Sequence, residues 1–171
     1  GRSNMQANRM LALQNMPIFG GVQADILEFI VQSSEQVLVP AGEYFFREND
    51  KAESMFVLET GEIEILKLWN GRQHRLGRLR QGDCFGEMAL MDLFPRSASV
   101  RATMACAAIE ISTASFFQIY ESNTAQFALI QMNLGREVSR RLRRADERGF
   151  RAKMGTAPPG AEASLEWSEQ P

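Results

Sequence analysis

The chain has 171 residues, of which 44% are hydrophobic and 23% charged, and its formal net charge is −2. That length suits one ordinary domain with flanking segments. No apolar run approaches the roughly 18 residues that a membrane span needs, so a soluble protein without a membrane span is expected.

The first twenty residues lack an apolar block behind a basic start, which argues against a signal peptide and for the cytoplasm. Two amphipathic stretches, residues 5–14 and 23–32, are separated by P-I-F-G-G, where Pro17 and the glycines interrupt the helix. A helical N-terminal cap is expected. From Gln36 the period changes to short apolar runs punctuated by turn residues: Q-V-L-V, P-A-G-E, Y-F-F-R, E-N-D-K and then M-F-V-L-E-T-G-E-I-E-I-L-K-L-W. Ile63, Ile65 and Leu68 alternate in part with Glu62, Glu64 and Lys67, which describes a strand with one buried and one wet face. Gly61 is placed for a tight hairpin. Asn70-Gly71 predicts a type I′ hairpin with a return strand over residues 72–79. Strands at this spacing predict a β-barrel or jelly roll, so the fold class is mainly β with flanking helices.

The stretch G-D-C-F-G-E-M-A-L-M-D-L-F-P-R-S-A-S-V-R-A, residues 82–102, carries the chemistry. Gly86 lacks a Cβ at a strand exit, and Glu87 to Leu90 are good helix formers. A short helix should start there with free amides at its N-terminus, where anions bind. Arg96 supplies a planar fork of donors and Ser97 a hydroxyl, a set suited to one singly charged phosphodiester. Glu87 would repel such an anion unless the ligand also brings a hydroxyl for it to accept. Ribose supplies one, so a cyclic nucleotide fits better than a nucleoside triphosphate.

F-G-E-M-A-L followed by P-R-S-A-S-V resembles the phosphate-binding cassette of cyclic nucleotide-binding domains. The entry pattern L-x-x-M-P-I-F-x-x-V-x-x-x-x-L-x-x-I is similar to the start of the same family, and the resemblance covers residues 16–144. It implies that Glu87 takes the ribose 2′-hydroxyl and that Arg96 and the cassette amides take the cyclic phosphate. Ser97 stands where members carry Ala, Ser or Thr. The ligand-binding residues expected on this basis are Phe85, Gly86, Glu87, Met88, Ala89, Arg96, Ser97 and Ala98. Cyclic AMP is the favoured ligand, with cyclic GMP as the second choice. In degenerate members Glu87 and Arg96 would only bridge across a loop.

After the cassette, S-V-R-A and A-C-A-A-I-E-I-S supply the last strands, and Thr113 or Ser112 caps the next helix. A long helix starting near Phe127 carries an apolar stripe, Phe127, Ile130, Leu134, Val138 and Leu142, with arginines on its other faces. Gly149 is expected to mark its end. This helix is the candidate lid, with Arg141 and Arg144 as the residues that would cover the base. A homodimer seam at heptad spacing is the other use of the same stripe. Residues 5–150 are thus expected to form the cyclic nucleotide-binding domain. Residues 151–171, acidic and rich in Pro, Gly and small residues, are expected to be a disordered or loosely docked tail with Trp167 as its one large anchor.

His74 is the only histidine, and Cys84 and Cys106 have no metal-ligand or C-x-x-C spacing, so they are expected to be buried free thiols with no metal. G-x-S-x-G, H-E-x-x-H and P-loop motifs are absent. No enzyme and no cofactor are expected. Only 25 residues follow Asp146, too few for a DNA-binding module. The reading is a sensor that signals through its C-terminal helix to an unknown protein effector. A degenerate-pocket scaffold, or the ligand module of a larger effector such as a channel or transporter, is the alternative.

Overall fold

The computed structural model describes residues 1–156. Two four-stranded antiparallel sheets face each other across an apolar core. One contains β1 (Glu35–Val39), β8 (Cys106–Ser112), β3 (Ser54–Thr60) and β6 (Cys84–Phe85) in that order. The other contains β2 (Tyr44–Phe46), β7 (Ser99–Ala102), β4 (Glu62–Trp69) and β5 (Arg72–Arg80). This is the jelly roll expected from the strand spacing.

The inner faces supply Phe56, Leu58, Ile63, Phe85, Val100, Ala102, Cys106 and Ala108, all buried. Phe45, Phe46, Phe56 and Phe85 form one aromatic cluster. Phe56 and Phe85 stack at 5.2 Å, and Phe45 stands edge-on to both at 5.4 and 5.0 Å. Such pairs add about 0.5–1.5 kcal/mol each beyond the area they bury. Ile109 and Ile111 alternate with Ala108 along β8 and are buried as well, so the first sheet is covered on both faces. The second sheet keeps a wet face, where Glu64 pairs with Arg101 and Glu62 lies 3.8 Å from Arg78.

Asn70 and Gly71 both have positive φ, 51° and 73°, and β4 pairs with β5 in register from Trp69↔Arg72. The type I′ hairpin is therefore present. Gly61 does not make a hairpin. Strands β3 and β4 belong to different sheets, and the chain turns a corner between them with Gly61 at φ 98°. A Cβ there would lie 2.6 Å from Cys106 Sγ and 2.7 Å from the Ala105 carbonyl, so the corner needs glycine. Alternation on each side of the turn is the same for a corner and a hairpin, which is why the sequence does not separate them.

The N-terminal cap consists of α1 (Arg2–Gln14), a 3-10 turn (Pro17–Phe19) and α2 (Ala24–Ser33). Leu13, Ile18, Leu27 and Ile30 are fully buried. Arg9 of α1 forms a two-pronged ion pair with Glu59 of β3, at 3.0 and 3.1 Å. Ser112 caps α3 (Thr113–Ser122) by accepting from the Ser115 amide at 3.1 Å.

Helix α4 (Thr124–Thr156) starts three residues before Phe127 and runs past Gly149 instead of ending there. Residues 151–156 of the expected tail are accordingly helical, while Trp167 and the rest of that tail lie outside the described residues. The chain divides into two compact units, Gly1–Leu134 and a second that begins at Gly135. Within the first, Ile130 and Leu134 are fully buried, and Asn133 donates to the carbonyls of Ile18 and Gly20 at 3.2 and 2.8 Å. Within the second, Glu137 pairs with both Arg140 and Arg141, and Leu142 is 62% exposed, so the apolar stripe is not buried along its whole length. No helix among the described residues is long and apolar enough to cross a membrane.

Candidate functional site

Strand β6 ends at Phe85, and the chain reverses through Gly86 in the left-handed region, φ 75° and ψ 11°. One 3-10 turn, Glu87–Leu90, follows. The expected short helix is thus a single turn, in which the Ala89 amide already donates to the Gly86 carbonyl at 3.2 Å. Ala89 and Glu87 are buried, while Met88 is 45% exposed.

The loop then runs outward through exposed Leu93 and Phe94 and returns at Arg96, which is only 7% exposed. Two backbone bonds pin the return: the Arg96 amide donates to the Asp50 carbonyl, and the Asn49 amide to the Arg96 carbonyl, both at 2.8 Å. The side chain turns inward. Its Nη1 donates to the Gly86 carbonyl at 3.1 Å and its Nη2 to the Ser54 carbonyl at 2.7 Å, with the Ser54 hydroxyl at 3.3 Å. The guanidinium lies over the Phe46 ring, 4.0 Å from its centroid. A Cβ on Gly86 would stand 2.7 Å from Nη1, so glycine is required both for the left-handed turn and for the approach of Arg96.

These contacts use two of the three guanidinium nitrogens. Nε is buried and, among the described residues, has no hydrogen-bond partner. A buried N–H left in this way costs about 1–3 kcal/mol, which an anionic acceptor would recover. Burial pushes the guanidinium below the ordinary arginine range, and the charges of Glu110, Asp50 and Glu87, in that order, oppose the drop. Arg96 also lines a cleft of about 480 Å³ together with Phe45, Phe46, Asp50, Ser54 and Glu110.

The structure thus brings Phe85, Gly86, Glu87, Ala89 and Arg96 into one neighbourhood. Ser97 and Ala98 continue the loop, with Ser97 exposed and its carbonyl accepting from Lys67 Nζ at 2.6 Å. Arg141 and Arg144 belong to the second unit, where Arg144 is exposed. Sequence reasoning missed Ser54, Phe46 and Glu110. They come from β3, β2 and β8, and only the closure of the barrel sets them beside Arg96. Both cysteines are buried and neither is joined in a disulfide, and no cluster of metal-ligating side chains occurs among the described residues.

The family profile described as cyclic nucleotide-binding domain matches residues 36–123, about half of the chain and all of this site. The chain belongs to the cyclic nucleotide-binding domain family. Among its relatives in that family, the cAMP-activated global transcriptional regulator CRP of Salmonella typhimurium is 30% identical over 158 residues, covering 90% of this chain and 73% of the regulator. The cAMP-dependent protein kinase regulatory subunit of Emericella nidulans is 34% identical over 102 residues, 58% of this chain and 24% of the subunit. This cyclic nucleotide-binding domain therefore spans about a quarter of the kinase regulatory subunits it matches. The co-crystal structure of the regulatory domain of Toxoplasma gondii PKA with cAMP superposes with a TM-score of 0.65 at 25% identity, covering 68% of this chain and 44% of that one.

Proposed function

We propose that this chain is a non-catalytic cyclic nucleotide sensor, with cyclic AMP as its ligand, that signals to a protein effector through movement of α4. The observation that carries the reading is the buried Arg96, which holds the left-handed Gly86 turn through Nη1, beside buried Glu87 in sequence, and keeps a buried Nε without a hydrogen-bond partner among the described residues. In this reading Arg96 Nε and the cassette amides receive the cyclic phosphate, and Glu87 accepts from the ribose 2′-hydroxyl. Met88 and Phe85 frame the turn, Ser97 and Ala98 close the loop, and Arg141 or Arg144 covers the base. The names of the regulator and the kinase relatives, which specify cAMP, support the choice of ligand.

Calorimetric titration with cyclic AMP and cyclic GMP tests the reading. Saturable binding with cyclic AMP the tighter ligand is expected, and the absence of binding to either would identify a degenerate pocket. A 2′-deoxy cyclic nucleotide isolates Glu87. Its affinity should be lower by about 1.5–3 kcal/mol, the net worth of one hydrogen bond to a charged group. Equal affinities for the ribo and deoxy ligands would take Glu87 out of the site.

A further inference from the structure

A buried guanidinium needs counter-charge whether or not a ligand is present. For Arg96 part of that charge comes from β8. Its Nη2 meets the Ser54 hydroxyl at 3.3 Å, and the same hydroxyl donates to Glu110 Oε2 at 2.9 Å. The order of donation matters, because a serine has one proton: given to Glu110, it leaves a lone pair turned toward Arg96. The Glu110 carboxylate, carried on the central strand β8, accepts this bond from Ser54. Asp50, by contrast, also accepts from the Arg47 amide at 2.8 Å within its own loop. Glu110 thus sits one hydroxyl away from the cation.

We propose that Glu110 is a resident counter-ion of Arg96 that stabilises the empty site and lowers its affinity for the ligand's phosphate. The proposal rests on the reading of Arg96 as the phosphate-binding residue. With the site empty, the carboxylate offsets the cost of keeping a cation away from water. With a phosphate on Nε the cation is already neutralised, and Glu110 then adds repulsion between like charges separated by one guanidinium. The same carboxylate therefore acts with opposite sign in the two states. It is a positioning and affinity-setting residue, since it reaches the ligand only through Arg96.

Glu110→Gln removes the charge and keeps the shape, and its amide oxygen can still accept from Ser54. For this variant the melting temperature without ligand should fall by a few degrees, while the dissociation constant for cyclic AMP should fall about threefold to tenfold. A purely structural role would also lower stability but would weaken binding, so the direction of the affinity change separates the two. On an Arg96→Ala background the tightening should vanish, because the charge acts through Arg96. If Glu110→Gln does not fold, Glu110→Asp draws the carboxylate back from Ser54 and should tighten binding by about twofold. Unchanged or weaker binding by the folded variant overturns the role of Glu110, provided the parent binds cyclic AMP. A parent that binds no cyclic nucleotide overturns the underlying reading as well.

Discussion

Arg96 donates to the Gly86 and Ser54 carbonyls and still keeps one buried donor without a partner among the described residues. A charged-group hydrogen bond is worth about 1.5–3 kcal/mol, so losing the one that Nε offers should make Arg96→Ala weaken cyclic AMP binding by about tenfold to a hundredfold. The same substitution also strips the Gly86 and Ser54 carbonyls of their donor and uncovers the face of Phe46. A competition titration against the parent measures the effect, and an unchanged affinity would place the phosphate elsewhere. At this scale the cassette was legible in the sequence, because Gly86, Glu87 and Arg96 are neighbours along the chain and each residue type has a chemical reason to be there. Ser54 and Glu110 were not legible. Nothing in a strand's alternation distinguishes a serine that faces an arginine from one that faces solvent.

Among the elements, the strands and the Asn70-Gly71 turn followed from local period and turn chemistry, which act over a few residues. The corner at Gly61 and the true length of α4 did not. A single glycine costs a helix only about 1 kcal/mol, and the flanking arginines and alanines are good helix formers, so α4 continues through Gly149. Asn133 was equally invisible as a site of attachment, since its value lies in two carbonyls more than a hundred residues away. The lid proposal belongs to this scale. If the ligand acts by shifting a populated equilibrium, the liganded form must hold α4 differently from the free form. Amide hydrogen exchange should therefore change across residues 127–149 when cyclic AMP saturates the protein. Identical exchange with and without ligand would show that the helix is not the moving part.

The fold class was the most legible property of the molecule as a whole, because alternation and turn residues recur through its entire middle. Pairing between distant strands was the least. Among the described residues strand β1 has β8 as its only neighbour, with Glu35 opposite Glu110 and Val39 opposite Cys106, so the first sheet cannot close until some seventy intervening residues are in place. The β4–β5 hairpin, in contrast, joins residues across a two-residue turn. Local hairpins form in about 1–10 μs, whereas pairings distant in sequence bear a larger loop-closure cost and come later. Folding should thus build the hairpin early and the β1–β8 seam last, with amides of β4 and β5 protected before those of β1 in pulse-labelling hydrogen exchange. Simultaneous protection of all of them would refute that order. Because Glu110 is itself part of the seam, a chain still emerging during synthesis would have its cassette complete in sequence before this counter-charge arrives, and on the proposed role of Glu110 the brake on binding would be the last part of the site to form.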